Sequence, residues 1–449
     1  MDTVRLDDGL LRTTLPNGLV VLSEQLPGVR SAATGLFVRT ASAHERREQM
    51  GISHLLEHMV FKGTERRSAK ELALELEVRG GSLDAFTGRD YTSYQAHTLD
   101  ADLPLAVEIL TDLARRPLLR EGDLEPERNV ILEEINGVED TPDDLVFELH
   151  AAELWPEHPY GYSILGDAGT LAALSADDLR CLHQTGYFRG NFVVAAAGNV
   201  NHDQLLTVLE REGWFEGATR EPARPPVAPT PAVRGAERRE TRDTAQTHIV
   251  FGTDTFPLAD PRRFALAILT NVFGGGMSSR LFQRVREELG LAYAIFAYKH
   301  FYQSAGQLGV YIGTQPGTAD AAVDAIREEY ARLTREGLPA DELADGKQQL
   351  KGQVMLSLES PGARMGRRVP TARPDAGGDR RRHAGRDRGG GGGVLRARAA
   401  DGRAPRGRGV STVILSEAKD RSGGTSQPGH LGEIEPHSHA SGDPSRRSG

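Results

Sequence analysis

The sequence predicts an α+β fold with two similar domains, each a mainly antiparallel sheet with helices packed against it, followed by a disordered C-terminal tail. Strand-like and helix-like patterns alternate over residues 11–214, return in a loosely similar order after a proline-rich stretch, and stop near residue 366. A chain of 449 residues is long enough for two such domains. The predicted parts are a first domain at 1–216, a linker at 217–245, an incomplete second domain at 246–366 and a tail at 367–449.

The first domain opens with two strand patterns and continues with helices. An Asn-Gly turn at 17–18 precedes a β-rich run, and a second apolar run follows at 32–38, so we expect the two to form a hairpin. Apolar residues at helical spacing predict a helix over 51–62. Ser68 and Glu71 have the spacing of a capping box, which predicts another helix start. The later elements predicted in this domain are strands near 82–87, 92–98 and 192–197 and helices near 102–115 and 124–138.

The composition changes at the predicted linker. Five prolines fall between residues 222 and 231, so neither helix nor sheet is expected in 217–245. Strand and helix patterns then resume. The elements predicted in the second domain are strands at 248–252, 292–300 and 306–313 and helices near 261–272, 278–289, 319–335 and 340–358.

The tail has a composition that disfavours a packed core. It holds 16 Arg and 17 Gly, no aromatic residue, and five consecutive glycines at 389–393. Such a segment buries too little apolar surface to offset the entropy lost on ordering. Three explanations stay open: a natural disordered tail, a functional basic arm, and a translation that has left its proper reading frame.

Charge and cysteine content exclude several classes of partner and site. The tail carries 17 Lys and Arg against 9 Asp and Glu, so residues 1–366 hold a charge of −17 within the total of −9. An acidic body disfavours nucleic acid as a partner. We find no apolar run long enough to span a membrane and no leader-like N-terminus, so no membrane partner is expected and the cytoplasm is the predicted location. With Cys181 as the single cysteine, a metal must be held by His and carboxylates.

The segment His54-Leu55-Leu56-Glu57-His58 carries the chemistry that this composition allows. On a helix the side chains of His54, Glu57 and His58 share one arc, while the opposite arc is apolar. Two imidazoles one turn apart have the spacing that Zn²⁺ uses, and a neighbouring carboxylate can take a proton from an activated water. The order is that of the inverted zinc motif. A chance match is possible at this chain length, so the prediction requires a third ligand.

The third ligand must come from another element. The predicted helix at 124–138 carries Glu127, Glu133 and Glu134. Seven residues are about two helical turns, so Glu127 and Glu134 stack on one face. One of them can then bind the metal while the other orients a ligand from behind. The competing interpretation is an ordinary solvated acidic face.

These residues resemble the insulinase/pitrilysin family of zinc metallopeptidases, in particular its shorter, processing-peptidase-like members. The stretch GISHLLEHMVFKGT matches, and Glu134 lies 76 residues beyond His58, as in that family. The resemblance implies that His54, His58 and Glu134 hold one Zn²⁺ per chain. It further implies that Glu57 is the general base and that Glu127 supports a ligand.

Two further stretches resemble the same family. The segment GGSLDAFT is similar to the edge strand with which members pair their substrate. The substrate-binding residues that this implies are Ser82, Leu83, Asp84, Ala85, Phe86 and Thr87. Many members have Asn in place of Asp84, a difference that leaves main-chain pairing intact. Arg286 and Tyr293, seven residues apart, resemble the pair that reaches the substrate carbonyl, which implies catalytic roles for both.

The resemblance implies a zinc-dependent endopeptidase that hydrolyses peptides or unfolded polypeptide segments. It also implies a homodimer, or a heterodimer with a related subunit, that closes around the substrate. Two alternatives stay open. One is a catalytically weak or inactive scaffold subunit that binds peptides, because the end of domain two is missing. The other is a zinc-storing protein, which needs a closed coordination shell although only three protein ligands are visible.

Overall fold

Two β-sheets, each with helices packed against it, organise the chain. The computed structural model describes residues 1–217, 227–233, 235–368 and 411–417, which lie in one unit, Met1–Glu417. The strands are β1 Asp2–Asp7, β2 Leu10–Thr14, β3 Val20–Gln25, β4 Ser31–Val38, β5 Ser82–Thr87, β6 Thr92–Leu99, β7 Phe192–Gly198, β8 Glu237–Arg242, β9 Thr247–Thr255, β10 Ala292–Phe301, β11 Gly306–Thr314 and β12 Ser411–Glu417. The helices are α1 Ile52–Val60, α2 Ala69–Glu77, α3 Leu103–Arg115, α4 Glu121–Glu139, α5 Pro142–Leu154, α6 Ala168–Ala173, α7 Ala176–Gly186, α8 His202–Arg211, α9 Arg263–Gly274, α10 Ala319–Glu336, α11 Ala340–Ser357 and α12 Pro361–Arg368.

The two sheets share one topology. The first has the order β1-β2-β3-β7-β4-β6-β5 and the second the order β10-β11-β9-β12-β8. Five strands of each sheet can be numbered one to five in chain order, β3 to β7 in the first sheet and β8 to β12 in the second. These five strands lie side by side in the order 1-5-2-4-3 in both sheets, and β1 and β2 extend the first sheet beyond its strand one. In both, the first and fifth strands pair in parallel and the remaining neighbours pair antiparallel. The prediction of an α+β fold with two similar, mainly antiparallel sheets is therefore confirmed.

Local sequence signals predicted many elements accurately. The predicted strand at 82–87 coincides with β5, and the capping box starts α2, where the Ser68 hydroxyl accepts from the Glu71 N–H at 3.3 Å. The Glu71 carboxylate in turn accepts the Ser68 N–H at 2.7 Å. The helix predicted at 278–289 is a shorter π-helical turn, Phe282–Glu288. Helices α5 to α8 and strands β1 and β2 were not predicted.

The predicted hairpin of the first two strand patterns is wrong. Strand β7 lies between β3 and β4, parallel to the first and antiparallel to the second. All seven residues of β7 are buried, and a strand that is apolar on both sides belongs in the interior of a sheet. The turn between β3 and β4 therefore does not make them neighbours.

Two stretches expected to lack regular structure contribute strands to the second sheet. Strand β8 falls within the predicted linker, and β12 falls within the predicted tail. Strand β12 fills the position between β8 and β9 and buries Val413, Ile414 and Leu415, because this short β-prone run differs from the composition around it. The second sheet thus extends beyond the predicted bounds of 246–366. Most of the linker prolines, residues 369–410 with the five glycines, and residues 418–449 lie outside the described residues.

Each sheet is covered on one face by a helix from the other half of the chain. Helix α5 packs on β9 and β12, where Val146 meets Val250 and Leu415 in an apolar cluster. Helix α12 returns to the first sheet, where Met365 is buried against Phe37 and residues of β3 and β7. The opposite face of the first sheet holds the largest core, which includes the apolar side of α1. Within the described residues, we find no helix with the length and apolar character to cross a membrane.

Candidate metal centre

Helix α1 presents the inverted motif because its apolar side is anchored in the core. Leu55, Leu56 and Met59 are fully buried, which turns the imidazoles away from the core. Gly51 precedes the helix with φ of +92°, and a Cβ there would lie 2.7 Å from the carbonyl oxygen of Leu165, so glycine is required. The buried carboxylate of Glu45 accepts the first-turn N–H groups of Gly51 and Ser53, each at 2.9 Å, and so caps the helix.

Helix α4 brings the distant carboxylates to α1. Glu134 Oε2 lies 3.7 Å from His54 Nε2, and Glu134 Oε1 lies 3.6 Å from His58 Nε2. Glu127, seven residues earlier, is buried and reaches His58 from the other side of the ring. Glu133 is exposed on the same helix. The predicted stacking of Glu127 and Glu134 therefore holds: Glu127 is buried behind His58, whereas Glu134 is 41% exposed and faces both imidazoles.

Glu127 fixes the orientation of His58. Its Oε2 lies 3.2 Å from His58 Nδ1, and its other oxygen forms an ion pair with Lys62. A carboxylate at Nδ1 favours a proton on that nitrogen, which leaves the lone pair of Nε2 free. The free nitrogen is the one that faces Glu134. Lys62 balances the charge of the buried Glu127 carboxylate, and apart from the His58 ring no other basic group among the described residues lies within ion-pair distance of it.

His54 is held as a neutral imidazole by its surroundings. Burial, and secondarily the nearby His58, lowers the pKa of His54 to about 4. The two rings lie 4.6 Å apart between centroids. The Nδ1 atom of His54 is buried and has no hydrogen-bond partner among the described residues, whereas its Nε2 points towards Glu134. A neutral ring with one nitrogen directed at a carboxylate is the state that binds a cation.

The three side chains suit a zinc ion. One ligand atom from each of His54, His58 and Glu134 lies within 4.8 Å of the other two. Tetrahedral zinc with ligands at about 2.0–2.1 Å holds them roughly 3.3 Å apart, close to the two His–Glu separations seen here. Two nitrogens and one oxygen leave a fourth position open, as in catalytic rather than structural zinc sites. This is the one such cluster found among the described parts of the chain.

Glu57 lies beside this cluster and next to the edge of the first sheet. Burial raises the pKa of Glu57 above its usual value, although a hydrogen bond from Thr87 opposes the shift. The Thr87 hydroxyl donates to Glu57 Oε2 at 2.5 Å. Thr87 ends β5, which is the outermost strand of its sheet and packs against α1. A free strand edge thus passes directly beside the carboxylate predicted to act as the base.

The residues predicted to bind substrate alternate along β5. Leu83, Ala85 and Thr87 are half-buried, and Leu83 and Ala85 pack against the core. The exposed residues between them are Ser82, Asp84 and Phe86. This alternation is that of a half-buried edge strand, in which one row of side chains faces the core and the other faces solvent.

Arg286 and Tyr293 come together in the second half of the chain. The Arg286 guanidinium carbon lies 5.0 Å from the centre of the Tyr293 ring and 4.6 Å from that of Phe282. Tyr293 is the second residue of β10 and is 78% exposed. No hydrogen bond, ion pair or ring contact within the described residues joins this pair to the metal cluster. Arg286 and Tyr293 thus contact each other, as expected of a pair, and their placement against substrate stays a prediction.

Two contacts at the candidate site were not predicted from the sequence. One is the cap that Glu45 provides to α1, and the other is the ion pair between Lys62 and Glu127. Lys62 lies one turn beyond His58, so helical spacing could have indicated it. No local pattern predicts Glu45, because the irregular chain between it and Gly51 determines the contact. The remaining described histidines lie outside the metal cluster; His202, for example, joins Ser23 and Thr13 in a buried hydrogen-bonded set.

Comparison with known proteins matches both halves of the chain. Residues 20–168 match the family model described as insulinase (peptidase family M16), and residues 173–350 match the one described as the peptidase M16 inactive domain. An uncharacterized zinc protease of Streptomyces coelicolor is 40% identical over 361 residues, which cover 79% of each chain. An uncharacterized zinc protease of Bacillus subtilis is 38% identical over 356 residues, covering 79% of this chain and 86% of the relative.

Solved structures share the fold at lower identity. A protease from Helicobacter pylori superposes with a TM-score of 0.80 at 22% identity and covers 91% of this chain and 99% of its own. A peptidase M16 inactive domain from Pseudomonas fluorescens gives a TM-score of 0.78 at 16% identity and covers 92% and 99%. These likenesses extend over both sheets.

Proposed function

Since the chain belongs to the insulinase family of peptidases (M16), we propose that it is a zinc-dependent endopeptidase that hydrolyses peptides or unfolded polypeptide segments. The observation that carries the proposal is the convergence of His54, His58 and Glu134 from two helices, with Glu57 beside them. Relatives named zinc proteases support the same metal and reaction class.

In this proposal His54, His58 and Glu134 hold one zinc ion per chain. Zinc at such a site supplies Lewis acidity, which makes a bound water more acidic and polarises a carbonyl. The chain prepares this site in advance. Burial keeps His54 neutral. The Glu127 carboxylate beside Nδ1 of His58 favours that nitrogen as the protonated one of the neutral ring, which leaves Nε2 as the ligand atom.

Glu57 acts as the general base in this proposal. Its raised pKa makes the carboxylate a better proton acceptor than an exposed glutamate. The proton it takes from water is the one it later gives to the leaving amine. Thr87 occupies Oε2, so Oε1 is the oxygen left to exchange the proton.

The edge strand β5 supplies the substrate site. An extended peptide that pairs with β5 gains main-chain hydrogen bonds without a demand for particular side chains. Folded proteins rarely offer a free extended segment, so the substrates are peptides and unfolded segments. Asp84 and Phe86 project on the exposed side of the strand, where they contact alternate side chains of the bound peptide.

Arg286 and Tyr293 stabilise the carbonyl end of the substrate in this proposal. The guanidinium stacked on the phenol orients the ring, and the ring's exposure leaves the hydroxyl free to donate. Hydrogen-bond donors aimed at a developing negative charge are effective in such reactions. We further propose that the active form is a dimer of identical or related chains, which encloses the peptide.

The scaffold alternative rested on an unfinished second domain. Strand β12 fills the interior position between β8 and β9 in the second sheet, and this weakens that reason. The alternative keeps one point in its favour, because residues 173–350 match a model described as an inactive domain. Measurement of activity decides between the two.

The decisive experiment compares the full chain with its Glu57→Gln variant. We expect both to contain one zinc ion, whereas cleavage of an unstructured fluorogenic peptide falls by about 10²–10⁴-fold in the variant. Glu133→Gln is the matched control, because Glu133 is exposed on α4 and should leave turnover unchanged. Retained turnover in Glu57→Gln would remove Glu57 from the mechanism. A zinc-loaded wild type without cleavage would support the scaffold alternative.

A further inference from the structure

Thr87 joins two parts of the site that are otherwise separate. Its hydroxyl donates to Glu57 Oε2 at 2.5 Å, and it is the last residue of the edge strand β5. No other hydrogen bond to the Glu57 carboxylate occurs among the described residues. The terminal torsion of a carboxylate is soft, so one hydrogen bond decides which way its two oxygens point.

The main chain of Thr87 faces the free edge of the sheet. The Gly88 N–H donates to the carbonyl oxygen of Tyr91 at 2.9 Å, so the backbone groups of Gly88 point inward, towards β6. Thr87 pairs with Thr92 in the antiparallel register. Backbone groups alternate in direction along such a strand, so those of Thr87, like those of Ala85 and Leu83, point away from β6. These are the groups with which an added peptide strand would pair.

We propose that Thr87 is a positioning residue that couples pairing of the substrate with β5 to the orientation of Glu57. This inference rests on the proposed function. The main chain of Thr87 takes part in holding the peptide, and its side chain holds one oxygen of the base. A peptide paired along β5 immobilises the strand end, and with it the hydroxyl that directs the free oxygen of Glu57 towards the scissile bond.

The identity of the side chain at position 87 follows from this role. The residue must combine a hydroxyl with a shape that suits a strand, and threonine does both. Valine keeps the branched shape and the main chain but has no donor. Serine keeps the donor and loses one methyl group. These two substitutions therefore separate the hydrogen bond from the strand.

The test measures kcat, KM and zinc content for the full chain and three variants. We expect Thr87→Val to lower kcat by roughly 10- to 100-fold with KM and zinc content within about twofold, because misplacement of a catalytic group costs rate rather than binding. Thr87→Ser should retain kcat within about threefold. Thr207→Val, which removes a hydroxyl bonded to a helix carbonyl far from the site, should match the wild type. Unchanged kcat in Thr87→Val, or a loss seen only in KM, would overturn the proposal.

A second measurement does not need turnover. Urea midpoints of the metal-free Thr87→Val, Glu57→Ala and double variants should shift non-additively if the two side chains contact each other. Additive shifts would overturn the contact itself. If the wild type binds zinc but cleaves nothing, the proposed function fails and the positioning role fails with it. If the wild type cleaves and Thr87→Val cleaves equally, only the positioning role fails.

Discussion

Replacement of Glu127 by Gln should weaken zinc binding without removing any metal ligand. Glu127 is 5% exposed, and its two oxygens face two cationic or donor groups, His58 Nδ1 at 3.2 Å and the Lys62 ammonium. A carboxylate accepts from both. An amide has one oxygen, so its NH₂ group must face one of these donors in a buried place.

The expected magnitude follows from that geometry. Loss of one hydrogen bond between a buried group and a charged partner costs about 1.5–3 kcal/mol. If the loss falls on His58, whose orientation sets the direction of Nε2, zinc affinity should drop by roughly 10- to 100-fold. A factor of ten corresponds to about 1.4 kcal/mol, so the two figures agree.

Competition with a fluorescent zinc chelator at fixed pH and salt measures this effect. Glu133→Gln is the matched control, since it makes the same chemical change on an exposed side chain of the same helix. We expect the control to bind zinc as the wild type does. Equal affinities for Glu127→Gln and the wild type would refute the view that Glu127 orients His58. Thermal unfolding of both metal-free variants checks that each is folded at the assay temperature.

Two further predictions concern stability. Leu415→Ala in β12 should lower the free energy of unfolding by about 2–5 kcal/mol, because Leu415 is fully buried against α5. The control Leu356→Ala, at a site that is 71% exposed, should change the free energy of unfolding in urea little. Equal, small shifts for the two variants would mean that β12 does not form. Burial, partly offset by hydrogen bonds to the carboxylate, raises the pKa of Glu45 from 4.5 to about 7. The folded state therefore binds this proton more tightly than the unfolded state does. The stability that the bound proton provides is lost as the pH rises from about 4.5 to about 7. Between pH 5 and 8 the wild type should lose about 2–3 kcal/mol relative to Glu45→Gln in urea unfolding, and parallel pH profiles would contradict this assignment.

The sequence could predict the candidate metal site because the geometry of its ligand side chains is mostly local. His54, Glu57 and His58 lie within five residues on one helix, and helical periodicity alone places them on one arc. The same rule places Glu127 and Glu134 on one face of α4. Only the approach of the two helices is a long-range fact. The family resemblance supplied it, and the structure shows the carboxylate of Glu134 within 4 Å of both imidazoles.

Strand order could not be predicted in the same way. Nothing near β3 or β4 indicates that a strand about 150 residues later will separate them. The neighbours of a strand are determined by which apolar faces the rest of the chain must cover. The signal was present in β7 itself, whose residues are apolar on both sides. Strand β12 was missed for a related reason. Composition averaged over 83 residues conceals the four-residue run from Thr412 to Leu415.

The repeated topology separates fold from chemistry. Strands β4 and β9 occupy equivalent positions in the two sheets, and each is followed by a helix, α1 in the first half and α9 in the second. Helix α1 carries two histidines and a glutamate, whereas α9 reads RFALAILTNVFG and contains no His, Asp or Glu. The same backbone therefore carries a candidate metal site once, and α9 in the second half has no His, Asp or Glu with which to repeat it. A likeness of fold, however extensive, says nothing about catalysis in either half. The proposed function depends on the side chains that the short helix α1 presents, and on the approach of Glu134 from α4 to meet them.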